Sequence, residues 1–245
     1  MAESDRTTRT PQRWHDRTVE ALAAEFHTDL ETGLSAEEVH RRRTEIGWNE
    51  LPEAPPVSWL KLLLSQFTSI IIWVLIGAAV VSGLLEDWLD AAAILAIVAL
   101  NGLLGFVQEF RAERSLAALR KLSVATARAM RNGALQSIPA RDVVPGDVIL
   151  LEAGDRIPAD ARLIYTANFQ TQEASLTGES TPVQKNSGWL GQSDVAIADR
   201  INMAFMGTTA VSGKARALIV ATGVRTELGR ISSMIQAAEA AERAE

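Results

Sequence analysis

Two uninterrupted apolar runs constrain this chain more than any other feature. Phe67 to Leu85 is 19 residues without a charge, centred on Ile70, Ile71, Ile72, Trp73, Val74, Leu75 and Ile76. Ala91 to Val107 is similar, with Asn101 as its strongly polar residue. A helix of about 20 residues crosses the roughly 30 Å of a bilayer's hydrocarbon. Neither run has the polar face that a helix on a soluble surface shows. The sequence therefore predicts a membrane protein with a two-helix transmembrane hairpin over residues 59–108, its helices at about 62–85 and 89–108. Ser82-Gly83 to Asp90 carries Glu86, Asp87 and Asp90 and no base. One carboxylate at mid-membrane costs about 3 kcal/mol, so this stretch is expected to be the turn. Arg41-Arg42-Arg43 and Lys61 precede the hairpin, and Arg111, Arg114, Arg120 and Lys121 follow it. By the positive-inside rule both ends are cytoplasmic. Trp59 and Trp88 fall near the expected interfaces, and Trp73 faces lipid or a neighbouring helix. Asn101 is expected to join the helices, with an ion ligand as the alternative. Gly77, Ala78, Ala79, Gly102 and Gly105 suggest close helix approach.

Residues 1–58 read as a small helical region. Met1 to Pro11 is a polar, frayed tail without the apolar core of a secretory signal. Val19, Leu22, Ala23 and Phe26 have helical spacing within Asp16 to Phe26. Ser35-Ala36-Glu37-Glu38 reads as a reciprocal capping box, and Gly47 as a left-handed stop. Leu51-Pro52 and Pro55-Pro56 form a stiff connector. Residues 109–123 alternate Glu109, Arg111, Glu113, Arg114 and Lys121 around Phe110, Leu116, Leu119 and Leu122, as a stalk helix continuing the second apolar run would.

From residue 124 to 225 the pattern changes to period two. Asn132-Gly133 signals a type I′ hairpin turn, and further turns are expected at Val143 to Asp147 and Gly154-Asp155. Short strands at such spacing, including Met203 to Gly207, Ala210-Val211 with Ser212-Gly213, and Ala215 to Ala221, indicate a β-sandwich or jelly roll. Residues 226–245 read as a helix with Leu228, Ile231, Met234 and Ile235 on one face and no stop signal, as a truncated helix would.

Composition removes several chemistries. The 245 residues include no cysteine, which excludes disulfides and thiolate sites, and the net charge of −6 argues against nucleic acid. His15, His27 and His40 are too widely spaced for a metal site and read as solvated or capping residues. Gly213-Lys214 is not a phosphate loop, because Thr208 stands where glycine is required and Ala215 replaces the hydroxyl residue. The remaining candidate is Leu176-Thr177-Gly178-Glu179-Ser180, set in a stretch of alternating strand pattern. Glu179 could act as a general base beside Gly178, with Thr177 and Ser180 holding the loop. A glycosidase would need a second carboxylate, for which Glu173 and Asp160 are the candidates.

Four stretches together resemble the N-terminal part of a P-type cation-transporting ATPase of the calcium and sodium/potassium type. They are Val144-Pro145-Gly146-Asp147-Val148, Gly154 to Asp160, Glu173 to Val183, and Met206-Gly207-Thr208 with Thr222-Gly223 and Thr226-Glu227-Leu228-Gly229. The resemblance covers roughly residues 14–245. It implies an α+β fold in which the hairpin is inserted in a β-jelly-roll-like actuator domain, and 226–245 leads toward a third membrane helix. It implies that Glu179 activates water for hydrolysis of a phospho-enzyme. Gln172 departs from the acidic residue usual before Glu173, with little expected effect beyond a lost local hydrogen bond. The phosphorylated aspartate, the nucleotide domain and the later membrane helices are not in this sequence. ATP and Mg2+ are therefore expected only in a complete pump, and no cofactor or metal in this chain. The expected partners are the lipid bilayer, the missing domains and helices in the same or another chain, and the transported cation. Absence of cysteine argues against a soft heavy-metal pump. The expected location is the plasma membrane, multi-pass. The competing reading is a stand-alone, membrane-tethered β module that binds a partner through residues 175–183.

Overall fold

The computed structural model describes residues 13–51, 64, 68–122, 125–192 and 194–242. The expected tail at Met1 to Pro11, the Pro52 to Pro56 connector, Trp59, Lys61, the start of the first apolar run and Arg243 lie outside these residues. The chain divides into two units, Met1–Pro52 with Ala125–Glu245, and Glu53–Val124.

In the second unit, α3 (Ile70–Leu84) and α4 (Trp88–Leu122) are joined by a three-residue turn. The turn is shorter than expected. Glu86 takes a left-handed φ of 65°, and the Asp87 N–H closes back on the Ser82 carbonyl at 3.0 Å. Ile72 and Ala79 of α3 and Ala91 and Val98 of α4 are buried, seven residues apart on each helix, as a packing seam requires. Gly102 lies in that seam, whereas Gly77 has open space around it and contributes no close approach. Asn101 is exposed, so it does not join the helices. Most of the remaining apolar side chains stand exposed, including Trp73, Leu84, Trp88 and Leu89. Residues Trp88–Ala112 are long and apolar enough to cross a membrane, with mean hydropathy 2.0, while Ile70–Leu84 is apolar but shorter. α4 runs unbroken for 35 residues, about 52 Å at 1.5 Å per residue.

The first unit is built on one seven-stranded sheet whose pairings are all antiparallel. Its strands are β1 (Thr126–Arg131), β2 (Ala134–Pro139), β3 (Val148–Glu152), β4 (Asp160–Gln172), β5 (Val183–Gln184), β6 (Met203–Ala204) and β7 (Thr209–Ala221). The order is β2-β1-β3-β7-β4-β5, with β6 paired to β4. Asn132 and Gly133 both have positive φ, 52° and 72°, as a type I′ turn requires. Ala210-Val211 with Ser212-Gly213 and Ala215 to Ala221 are one 13-residue strand, β7, whose Ser212-Gly213 lies opposite a bulge in β4 between Ala167 and Gln170. β4 also continues well beyond Tyr165, where the sequence pattern loses its apolar alternation. Alanines, with Ile149, Leu163, Phe169 and Ile219, fill the main core.

Two helices pack in this unit, the first on the sheet and the second against Val144 and Pro145 of the loop before β3. α1 (Val19–Glu25) is capped by Thr18 and inserts Leu22 among Val148, Phe205, Leu218 and Val220. α2 (Ala36–Ile46) begins at Ser35, whose hydroxyl accepts from the Glu38 N–H at 3.2 Å. The capping box is only half made, because the Glu38 carboxylate turns to Arg41 and Arg42 instead. These two guanidinium groups lower the Glu38 carboxyl to about 2. Arg42 is buried, donating to the Pro145 carbonyl at 2.7 Å and to the Phe26 carbonyl. It is thereby removed from the basic flank counted for orientation. A Cβ on Gly146, whose φ is 92°, would stand 1.9 Å from the Arg42 guanidinium, so the turn there has to be glycine. Gly47 ends α2 with φ 90° and ψ −173°, a positive φ but not the left-handed helical cap expected.

Buried polar side chains join segments far apart in sequence. Asn49 donates to the Ala140 and Pro158 carbonyls and accepts from the Gly223 N–H. The Arg162 guanidinium, lowered to about 10 by desolvation, donates to the carbonyls of Arg17, Leu163, Ser187, Asn202 and Trp189. His15 is buried rather than solvated, with Nε2 3.0 Å from the Gln192 carbonyl. Asp160 accepts from the Met206 N–H at 2.8 Å and from the Glu227 N–H at 2.7 Å, which ties β4 to the first turn of α6 (Glu227–Glu242). On α6, Leu228 and Ile231 are half-buried, but Met234 and Ile235 are exposed.

Desolvation pushes the Asp160 carboxyl up to about 7, against the two N–H donors that favour its ionised form. Its protonated form is therefore favoured in the folded state. The linked stability is fully present below about pH 4 and is lost as pH rises through 7. The wild-type chain should lose up to about 4 kcal/mol between pH 4 and 8 relative to Asp160→Asn. Denaturant unfolding of both across that range checks this, and a constant difference would refute it.

Candidate functional site

The Thr177–Ser180 stretch stands at the end of β4 that lies beside the start of β7, where Gln172 pairs with Thr209. The expected extended loop is partly helical. Ala174–Thr177 form the one-turn helix α5, because the Glu173 carbonyl accepts from the Leu176 and Thr177 N–H groups at 2.9 and 3.0 Å. Thr177 Oγ1 donates to the same carbonyl at 3.1 Å and accepts from the Glu179 N–H at 3.3 Å. Gly178 ends the turn in the left-handed region, φ 77° and ψ −6°, and nothing lies within 4 Å of where its side chain would be. The glycine thus serves the backbone first, and it leaves that side open to an incoming partner. Glu179 and Ser180 are exposed. Ser180 holds the loop through its carbonyl, which accepts from Gln172 Nε2 at 2.8 Å.

Beneath this loop lies a buried ion pair. Lys185 Nζ and Glu173 Oε1 are 2.5 Å apart, both side chains fully buried. The Thr171 hydroxyl donates to the same carboxylate oxygen at 2.8 Å. The Lys185 ammonium also lies 5.5 Å from the centroid of the Phe205 ring. Desolvation lowers the Lys185 ammonium, and Glu173 opposes that shift. β4 and β5 close the stem through Gln170 with Gln184 and Thr171 with Val183. The stem pair was not legible in sequence, although Lys185 is the only base between Arg162 and Arg200.

This arrangement removes the glycosidase reading. Glu173 is held by Lys185, and Asp160 is buried at the other end of β4, so neither can face Glu179 across a sugar. Among the described residues no three His, Cys, Asp or Glu side chains converge as a metal site. The other stretches that mark the resemblance are structural. Asp147 accepts from Arg131 at 2.9 and 2.6 Å and from the Val144 N–H. Asp155 receives Arg128 and the Glu152 N–H. Thr226 caps α6 at the Gly229 N–H, 3.0 Å. Glu179 is the one acid in these stretches left exposed without a side-chain partner among the described residues.

Removing one member of the buried pair leaves the other as an uncompensated charge, at a cost of about 3–5 kcal/mol. Lys185→Met should lose that much in denaturant unfolding, and Glu173→Gln with Lys185→Met should recover most of it. Additive losses in the double variant would refute the pairing.

Comparison with known proteins places the chain in a family. Residues 14–82 match the family of the cation transporter/ATPase N-terminus, and residues 121–236 match the P-type ATPase actuator domain. A calcium-transporting ATPase of Bacillus subtilis is 41% identical over 92% of this chain and 25% of its own length. Sodium/potassium exporting P-type ATPase 1 of Saccharomyces cerevisiae is 37% identical over 91% of this chain and 21% of its own. Calcium-transporting ATPase type 2C member 1 of mouse is 38% identical over 94% and 25%. The chain spans about a quarter of the length of the curated relatives it matches. It belongs to the P-type cation-transporting ATPases, of which it carries the N-terminal region and the actuator domain.

Proposed function

We propose that this chain supplies the actuator side of the dephosphorylation site of an ATP-driven cation pump. The observation that carries the reading is Glu179, an exposed carboxylate on a backbone pinned from both sides. In the reaction, water attacks the phosphorus of an aspartyl phosphate, the bond to the aspartyl oxygen breaks, and Glu179 takes the water's proton. Thr177, Gly178 and Ser180 position it. The aspartate, ATP and Mg2+ belong to phosphorylation and nucleotide domains in the same or a separate chain.

The sheet and its flanking helices would form the jelly-roll-like actuator, with residues 124–225 as its β part. α3 and α4 would form the transmembrane hairpin, with 109–123 as its stalk and α6 leading toward a third membrane helix. Exposed Trp73, Leu84, Trp88 and Leu89 support lipid as the surroundings, because soluble surfaces do not carry such contiguous apolar area. The acidic turn then faces outward and both termini lie in the cytoplasm, at the plasma membrane of a bacterial source. The relatives' names favour calcium or sodium/potassium as the transported cation.

In a complete pump carrying this sequence, Glu179→Gln should slow phosphoenzyme decay by about 10²–10⁴ while leaving its formation from ATP intact. Acid-quenched radiolabelling measures both. Unchanged decay would overturn the assignment. The 245-residue chain by itself should show no vanadate-sensitive ATP hydrolysis. Because the chain has no cysteine, Asp87→Cys and Arg114→Cys give clean single labels. An impermeant maleimide should reach the first only from outside sealed cells and the second only from the cytoplasmic side.

A further inference from the structure

We infer that Gln172 is a positioning residue for Glu179, holding the descending limb of its loop. The inference deepens the proposed dephosphorylation role and rests on it for its catalytic meaning.

The two limbs of the loop are held differently. The ascending limb has its own helical turn and the double contact of Thr177. The stem has the β4–β5 pairs, the buried Glu173–Lys185 ion pair, and the Gln184 amide donating to the Phe169 carbonyl at 3.1 Å. Ser180, Thr181 and Pro182 are exposed, and Pro182 has no N–H to give. Among the described residues, the Gln172 amide on the Ser180 carbonyl is the hydrogen bond that ties this limb to the stem.

Its placement matters for Glu179. The Thr177 hydroxyl fixes the peptide plane before Glu179, and Gln172 fixes the plane after Ser180. The backbone carrying the carboxylate is therefore held on both sides. The clamp needs a donor at position 172. An ionised carboxylate of the same shape would set oxygen against the Ser180 carbonyl oxygen, and would regain a donor only when protonated. Gln172 makes a local hydrogen bond of its own here.

The test uses the full 245-residue chain in detergent micelles and a glutamyl endopeptidase, with cleavage at Glu179–Ser180 followed by mass spectrometry. Cleavage requires the loop to leave its held form. At pH 7.5, Gln172→Glu and the uncharged Gln172→Met should both be cut about three- to tenfold faster than wild type, the ratio expected for one lost hydrogen bond. The other charged residues of the loop and stem are Glu173, Glu179 and Lys185, shared by all three proteins. As pH falls toward 4.5, Gln172→Glu should therefore return toward the wild-type rate while Gln172→Met stays fast. Cleavage at the glutamates shared by all three proteins and far-UV circular dichroism should be unchanged in both variants, and only molecules still intact at the bond after position 172, a site that Gln172→Glu adds, are counted. Rates within twofold of wild type at pH 7.5, or parallel pH profiles for the two variants, overturn the inference. The assay involves neither ATP nor a phosphoenzyme. Failure of the clamp is thus read separately from failure of the pump reading, which the decay rate of Glu179→Gln decides.

Discussion

The ladder between β4 and β7 is the constraint on which the rest of the actuator unit depends. The two 13-residue strands are paired from Asp160 with Ala221 to Gln172 with Thr209. At about 3.3 Å per residue the ladder is roughly 40 Å long. Its two ends do different work. At the Gln172 end stand the buried Glu173–Lys185 pair and the loop that presents Glu179. At the Asp160 end, Asp160 grips the start of α6, and Asn49 joins the segment after α2 to Pro158 and Gly223. A two-strand ladder stiffened by β3 and a close-packed core transmits displacement rather than absorbing it.

The same geometry explains why so many recognisable residues do no chemistry. Asp147, Asp155 and Asp160 all accept backbone N–H groups, and Gly146 makes room for Arg42. They are recognisable because each satisfies buried donors or a turn that few other residues satisfy. Glu179 differs in having nothing to satisfy within its own unit. A carboxylate held ready and left unpaired is what a site shared between domains requires.

Much of the fold was legible because it rests on local rules. The helices at Val19–Glu25 and Ala36–Ile46 and the Asn132-Gly133 turn follow from capping, turn chemistry and period. Departures occur where a distant partner outbid a local one. Glu38 gives up its own helix's N–H for two arginines, and Arg42 leaves the surface for carbonyls on other segments. His15 is buried against Gln192, far along the chain. Two short strands read on either side of Gly213 are one long strand, β7, paired across a bulge in β4. In α4, Asn101 is exposed while Gly102, its neighbour, carries the packing.

What the sequence determined by itself was the family, the two apolar helices, the β character of the following domain and the candidate Glu179, because each is written in short runs of adjacent residues. Only the tertiary structure decided how that glutamate is held. Gln172 meets Ser180 across the mouth of a loop, and Lys185 meets Glu173 beneath it. Both contacts depend on the pairing of β4 with β5, which brings residues 8 and 12 positions apart to within hydrogen-bonding distance. No local pattern encodes such a meeting, since it exists only once the strands are in register.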